Sequence, residues 1–436
     1  MKVCVVGMGY LGATHALAMA KLGHEVVGID TDSNKIESLN DGRLWFYEPG
    51  LEEALVEALS KGSVKFQTSF HMTEPAEVIF MCVGTPQTAF GGSTNTSYVF
   101  SAGETLAKVM EPATVFVGKS TVPVGTAAAL RELMSGVAGF PVHLAWNPEF
   151  LREGTALEDS LKPDRIVISS WDNYSSQKLK EVYKLILDQG TPLVEVDVPT
   201  AELVKVAANA FLATKVSFIN AMAEIAEVSG ADAVELAKAI GYDERIGNKF
   251  LRNGIGFGGG CLPKDIRGFV ARAEELGAGE AVSFLKDVDA INQRRRARVV
   301  TLAEQELGEL KDKKILMLGL SFKPDSDDMR DSPALDIALR LAQAGARVTV
   351  HDPVSLAALG DKHPELISEQ DLSAAAKDQG LVILGTEWSD YKAIDPTAFG
   401  DLVANKLIID GRNVLDVAAW QAAGWRLIAL GRNVHN

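Results

Sequence analysis

Cysteine is scarce in this chain: three residues (Cys4, Cys82, Cys261) among 436. That excludes a disulfide framework and points to a reducing compartment, the cytoplasm. Histidine is scarce too. The seven residues never cluster with cysteine or carboxylate at ligand spacing, so no structural or catalytic metal is expected. His15, on the first helix, reads as a packed or surface residue. No run approaches the ~18 uninterrupted apolar residues of a membrane span. The N-terminus, MKVCVVGMGYLG, lacks the layout of a signal peptide. Positive charge is in deficit: the net charge is −15. This argues against nucleic acid and anionic membranes as partners, while local basic pockets for an acidic small molecule remain open.

What is present is an ordinary globular composition, 47% hydrophobic and 23% charged, in a length that fits two or three domains of ~150 residues. Short β-rich runs alternate with helical segments from the start. Strands are expected at Val3–Gly7, Glu25–Asp30, Val78–Val83, Thr114–Lys119, His143–Ala145 and Arg165–Ile168. Such alternation predicts parallel sheets covered on both faces. Cys4 and Cys82 fall inside these apolar runs and read as small core residues. Residues 200–230 predict a long helix, apolar around much of its circumference and so buried on more than one side. Helical signals continue to about residue 310, and Arg294–Arg295–Arg296 reads as a solvated helix face. Strand signals then begin again at Lys314–Leu320, Arg347–Asp352, Leu381–Gly385 and Leu407–Asp410. The expected architecture is α/β: two Rossmann-like, doubly wound parallel-sheet domains (1–198 and 311–436) joined by a helical middle (199–310) with a long central helix.

Gly7, Gly9 and Gly12 lie in GMGYLG, directly after a strand and opening a helix. In that setting glycines permit a tight turn, close approach of a pyrophosphate and close helix packing. The helix N-terminus supplies amides for the phosphates. Asp30 ends the second strand, where a carboxylate bonds an adenosine ribose and disfavours a 2′-phosphate. This predicts NAD rather than NADP, with Lys35 nearby. VGTP after Cys82 and KSTVPVG after the next strand are strand-end loops, where open α/β sheets bind ligands.

The most informative segment is RNGIGFGGGCLPKDIRG, residues 252–268. Cys261 follows a run of glycines and precedes Pro263, a residue suited to a first helical turn. A thiol at a helix entrance feels the positive end of the dipole, which favours the nucleophilic thiolate. The alternative is a glycine-rich turn with an incidental cysteine. Lys205 and Asn209, four apart on the long helix, sit in apolar company and need polar partners if buried. Together they can stabilise a developing oxyanion; the alternative for Lys205 is a snorkelling side chain. Glu149 and Glu153 in NPEFLREGTA would share a face if that segment is helical, one as proton acceptor and the other against a ligand. Lys323, Arg330 and Arg412 fall at strand ends or loops, where they can meet phosphates.

These motifs, together with EPGL at 48–51, RIGNKFL and DGRNV, resemble the nucleotide-sugar 6-dehydrogenases over essentially the whole chain. One departure is visible: Gly260 stands where many relatives carry serine, and no loss of activity is expected from it. The resemblance implies oxidation of the C6 alcohol of UDP-glucose to a carboxylate, with two NAD reduced in succession. It implies a thiohemiacetal and then a thioester on Cys261, with Lys205 and Asn209 stabilising oxyanions. Asp265 would order water or assist proton transfer, Glu149 would be the base for hydrolysis, and Thr121 would help place that water. It implies cofactor contacts from Tyr10, Leu11, Asp30, Lys35, Thr85, Thr121, Glu153 and Arg330. For the sugar nucleotide it implies Glu149, Phe150, Leu151, Lys205, Asn209, Asn248, Phe250, Leu251, Gly256, Phe257, Gly258, Lys323 and Arg412. Arg245 would reach the neighbouring subunit's site, so a homodimer or higher homo-oligomer is implied. GDP-mannose or another nucleotide sugar is the nearest alternative substrate. A catalytically silent nucleotide-sugar-binding protein and a two-electron hydroxyacid dehydrogenase are the alternatives of other kinds.

Overall fold

The structure is a computed structural model that describes residues 1–71, 74–88 and 92–433. It is α/β, with two sheets and a long helix, Val198–Ser229. The chain divides into two compact units, one of residues 1–208 with 267–279, the other of 209–266 with 280–436.

The first unit holds β1 (Lys2–Val6), β2 (Glu25–Ile29), β3 (Val64–Gln67), β4 (Val78–Met81), β5 (Val115–Gly118), β6 (His143–Trp146), β7 (Ile166–Ser170) and β8 (Leu193–Glu195). Their order is β3-β2-β1-β4-β5-β6-β7-β8. Pairing is parallel throughout except that β7 runs antiparallel to β6, which departs from the all-parallel expectation. The connecting segment at 147–165 carries the helix Ala156–Leu161. Strands such as β4 and β5 are buried at every residue, as helices on both faces require. Cys4 and Cys82 are core residues. Burial raises both thiols, Cys82 to about 12, which leaves them unreactive.

The second unit holds β9 (Lys314–Leu318), β10 (Arg347–His351), β11 (Ile367–Ser368), β12 (Leu381–Leu384), β13 (Leu407–Asp410) and β14 (Arg426–Ala429). The order β11-β10-β9-β12-β13-β14 repeats the order of the first six strands of the other sheet. Both therefore reverse direction of growth beside their first strand, the place where such sheets bind ligands outside the strand carboxyl ends. The strands β3, β8, β11 and β14 were not anticipated; each is the edge strand of its sheet.

The two sheets differ at one equivalent position. Asp30, after β2, accepts the Met8 amide at 2.7 Å and its side chain keeps 12% of its surface exposed. Asp352, after β10, is buried and accepts from the amides of Leu320, Ser321, Val354 and Ser355 and from the Trp388 indole.

The arginine run is not a solvated face. Arg295 is fully buried and Arg296 is 3% exposed; only Arg294 stays outside, paired to Glu224. Arg295 bonds Gly254 O and Glu227, and Arg296 bonds Phe257 O, Asp331 O and the Asp331 carboxylate. Loop carbonyls without a ladder need donors, and a guanidinium supplies five. The long helix is, among the described residues, the one helix long and apolar enough by length and composition to cross a membrane. Lys205, Asn209, Asn220 and Glu227 interrupt it and are bonded within the protein.

Candidate active site

In the first unit, Gly7 follows β1 and the helix Tyr10–Lys21 begins with no side-chain cap. Its first amides are thereby left for a ligand. A Cβ on Gly12 would stand 1.8 Å from Gly7 O, so only glycine lets the helix approach the turn this closely. Around Gly9 there is open space. Asp30 holds Met8 N in this turn, and Lys35 Nζ lies 3.8 Å from Asp30. Tyr10 and Leu11 begin the helix, and Thr85 lies buried after β4. The open turn, the uncapped helix and the strand-end acid fit a dinucleotide.

Thr121 and Glu149 follow β5 and β6. Residues 147–155 are not helical, since the helix starts at Ala156; Pro148 disfavours helix in the residue before it. Glu149 and Glu153 therefore do not share a helix face. Glu149 instead points to the long helix, with Oε1 2.8 Å from Lys205 Nζ and Oε2 accepting the Leu151 amide. Phe150 packs under Lys205 Nζ at 5.6 Å and under the Arg165 guanidinium at 3.7 Å. Lys205 does not snorkel: it is 5% exposed. Glu153 is half-buried beside Gly154.

Behind this loop lies a buried cation not singled out from the sequence. Lys119 Nζ donates to Asn147 Oδ1 at 2.9 Å, and Tyr183 OH donates to the same oxygen at 2.6 Å. Asn147 Nδ2 bonds Val167 O. Burial lowers the Lys119 pKa to about 8; nearby Glu149 acts in the opposite direction. His15 is buried edge-on against Phe80, and burial lowers its pKa well below the usual value.

In the second unit, Cys261 is exposed and directly precedes the helix Leu262–Glu275. Its carbonyl accepts the Asp265 amide at 2.9 Å, so it caps that helix. Asp265 is 3% exposed, with Oδ2 accepting from Asn209 Nδ2 at 2.6 Å and Oδ1 2.6 Å from Lys264 Nζ. The backbone ahead of the thiol is fixed by side chains distant in sequence. Asn292 bonds both N and O of Phe257, and Asn220 accepts the Gly254 amide. Arg412 donates to the carbonyls of Gly385, Gly256 and Phe322. Arg412 thus joins the loop at Gly256 to the segments that follow β12 and β9. Gly256 and Gly258 are buried in this packing and Leu251 is 4% exposed.

Arg330 is exposed and bidentate to Asp328, and a Cβ on Gly260 would stand 2.3 Å from its Cζ. The departure at Gly260 therefore makes room for Arg330. Lys323 Nζ lies 5.4 Å over the Phe322 ring. Arg245, Asn248 and Phe250 are exposed, Arg245 paired to Asp243. Among the described residues no group of three or more His, Cys, Asp or Glu is placed to hold a metal.

Comparison with known proteins accounts for this combination. Residues 1–187 match the NAD binding domain of the UDP-glucose/GDP-mannose dehydrogenase family, 199–294 its central domain and 316–417 its UDP binding domain. The chain belongs to the UDP-glucose/GDP-mannose dehydrogenase family. A UDP-glucose 6-dehydrogenase of Bacillus subtilis (strain 168) is 38% identical, over 99% of this chain and 98% of its own length. One of Rhizobium meliloti (strain 1021) is 37% identical over 99% and 100%. Among solved structures, a UDP-glucose dehydrogenase from Pyrobaculum islandicum superposes with a TM-score of 0.88 at 37% identity, covering 99% of this chain and 97% of its own. As a member of this family the chain is an NAD-dependent dehydrogenase with a UDP-binding C-terminal domain.

Proposed function

We propose that the protein oxidises UDP-glucose to UDP-glucuronate, reducing two NAD per sugar through a covalent adduct on Cys261. The observation that carries this is the exposed Cys261 capping a helix whose first turn bears Asp265, gripped by Asn209. A two-electron hydroxyacid dehydrogenase has no use for such a thiol.

NAD, when bound, supplies the acceptor for each hydride. The protein's residues do the rest. Loss of a hydride from C6 and a proton from its hydroxyl leaves an aldehyde. An aldehyde has no second hydride to give until its carbon is tetrahedral, and Cys261 Sγ makes it so by adding as a thiolate. The resulting oxyanion is stabilised by the Lys205 ammonium and the Asn209 amide. The second oxidation leaves a thioester. Water attacks it, with Glu149 taking the proton and Thr121 placing the water, and acid and thiol are released. Asp265 holds Asn209 and shuttles a proton. The sugar nucleotide is held by Phe150, Leu151, Asn248, Phe250, Leu251, Phe257, Lys323 and Arg412, and the cofactor by GMGYLG, Asp30, Lys35, Thr85, Glu153 and Arg330.

The acting form is a homodimer in the cytoplasm. Phe211, Phe218, Ile225 and Val228 are exposed at 68%, 49%, 55% and 87% along one stripe of the long helix; a second copy covers such a stripe. Arg245 then serves the partner's site. GDP-mannose is the second reading. A GDP-mannose dehydrogenase of Pseudomonas aeruginosa is 27% identical, against 37% and 38% for two UDP-glucose dehydrogenases, which favours UDP-glucose.

The test is a panel of sugar nucleotides with NAD, followed as NADH. Turnover of UDP-glucose with two NADH per sugar is expected. Turnover of GDP-mannose alone refutes the substrate. Cys261→Ser should yield at most one NADH and no acid; two NADH per sugar from it refutes the thiol.

A further inference from the structure

The loop between the helices Ser33–Asn40 and Leu51–Ser60 carries Glu48, 5% exposed. Three donors converge on its carboxylate. The Tyr10 hydroxyl and the Gly154 amide, at 2.6 Å, reach Oε2. The Ala156 amide reaches Oε1 at 2.7 Å. A buried carboxylate is costly unless so satisfied. Gly154 and Ala156 stand 106 and 108 positions further along the chain, at the end of the segment that begins with Asn147 and Glu149. The same loop reaches the other side of the dinucleotide turn. The Tyr10 ring packs on Phe46 at 4.9 Å and Phe46 on Trp45 at 5.5 Å. Lys35 Nζ lies 5.8 Å from the Trp45 ring and 3.8 Å from Asp30. All these residues belong to the first unit.

We propose that Glu48 is a positioning residue: it ties Tyr10, at the cofactor turn, to the turn at 154–156, so that the cofactor site and the Glu149 segment take up one geometry together. This rests on the NAD-dependent reading above. Glu48 acts through its three donors. A glutamine in its place offers one oxygen and one NH2, so at least one of those donors would face another donor.

The experiment titrates NAD and, separately, UDP against wild type, Glu48→Gln, Tyr10→Phe and the double variant, with Tm measured on each. Loss of bonds to a buried carboxylate predicts NAD affinity about tenfold weaker in Glu48→Gln and a smaller loss in Tyr10→Phe. The double variant should lose no more than Glu48→Gln alone, because both changes break one linkage. UDP affinity should stay within about twofold, since its domain lies elsewhere in the chain. Wild-type NAD affinity in Glu48→Gln, losses that multiply in the double variant, or parallel weakening of UDP overturns the proposal. Tyr10→Phe leaves both amide bonds to Glu48 in place. If Glu48→Gln does not fold, Glu48→Asp takes its place: its shorter carboxylate cannot reach Tyr10, Gly154 and Ala156 together, so NAD should weaken while UDP does not, and unchanged NAD affinity overturns the proposal. The readout is binding, so a protein that ranks as expected yet oxidises no sugar nucleotide refutes the proposed function and leaves this inference standing.

Discussion

The Lys205 ammonium lies 2.8 Å from the Glu149 carboxylate, with both side chains nearly closed to solvent. The pair puts a fixed positive charge and a proton acceptor on neighbouring atoms. Each holds the other in place, because either one alone would be a buried unpaired charge.

Lys205→Met should therefore do more than remove an oxyanion donor. Loss of one such donor costs about 10²–10³ in kcat, and Glu149 would in addition lose its partner. We expect kcat to fall at least this far with a smaller change in KM for the sugar nucleotide. Steady-state kinetics following NADH would check it, and a kcat within tenfold of wild type would refute the assigned role.

Gly260→Ser should be tolerated. The Arg330 guanidinium is the far end of a flexible side chain, so it can swing from a new Cβ. Its bidentate pair with Asp328 would then open. The expected result is a folded, active enzyme with KM for NAD raised about threefold, the scale of a weakened charge-assisted pair. An unchanged KM for NAD would remove Arg330 from the cofactor contacts.

Arg296→Met should loosen the loop that presents Cys261. The change removes the Arg296 donor from the carbonyls of Phe257 and Asp331 and from the Asp331 carboxylate, leaving Asn292 Nδ2 on Phe257 O. Breaking a buried ion pair costs about 3–5 kcal/mol. A Tm lower by several degrees and faster alkylation of Cys261 by iodoacetamide are expected. An unaltered alkylation rate at unaltered Tm would contradict the buttressing role.

Lys119 gives a pH signature. Its pKa is lowered to about 8 from a reference of 10.5. Between those values the unfolded chain binds the extra proton, so this group makes stability rise with pH through that window. Below about pH 8 the cost of charging the buried amine is present in full. In Lys119→Met that contribution disappears. Thermal melts of wild type and variant at pH 7 and pH 9.5 should show the wild-type Tm gaining relative to the variant at the higher pH; a constant difference counts against a buried, depressed lysine.

The features legible in the sequence were those whose reasons are local. GMGYLG names its own turn, because Gly12 must pass within reach of Gly7 O. Pro263 after Cys261 marks a helix entrance, and the structure places one there. Apolar neighbours around Lys205 and Asn209 announced burial, and both are buried. The illegible features depend on partners far along the chain. Nothing near Arg295 and Arg296 says that loop carbonyls some forty residues away accept hydrogen bonds from them, so a triple arginine reads as solvated. Glu48 and Lys119 were missed for the same reason. Pro148 was a visible warning against a helix shared by Glu149 and Glu153, whereas nothing in the residues of β7 announces its antiparallel direction.

The carboxylate of Asp352 is saturated by backbone and indole donors from its own neighbours. It has no lone pair to lend to a sugar hydroxyl, whereas Asp30 keeps part of its surface open. The C-terminal sheet thus repeats the strand order of the first with its strand-end acid turned inward as a brace.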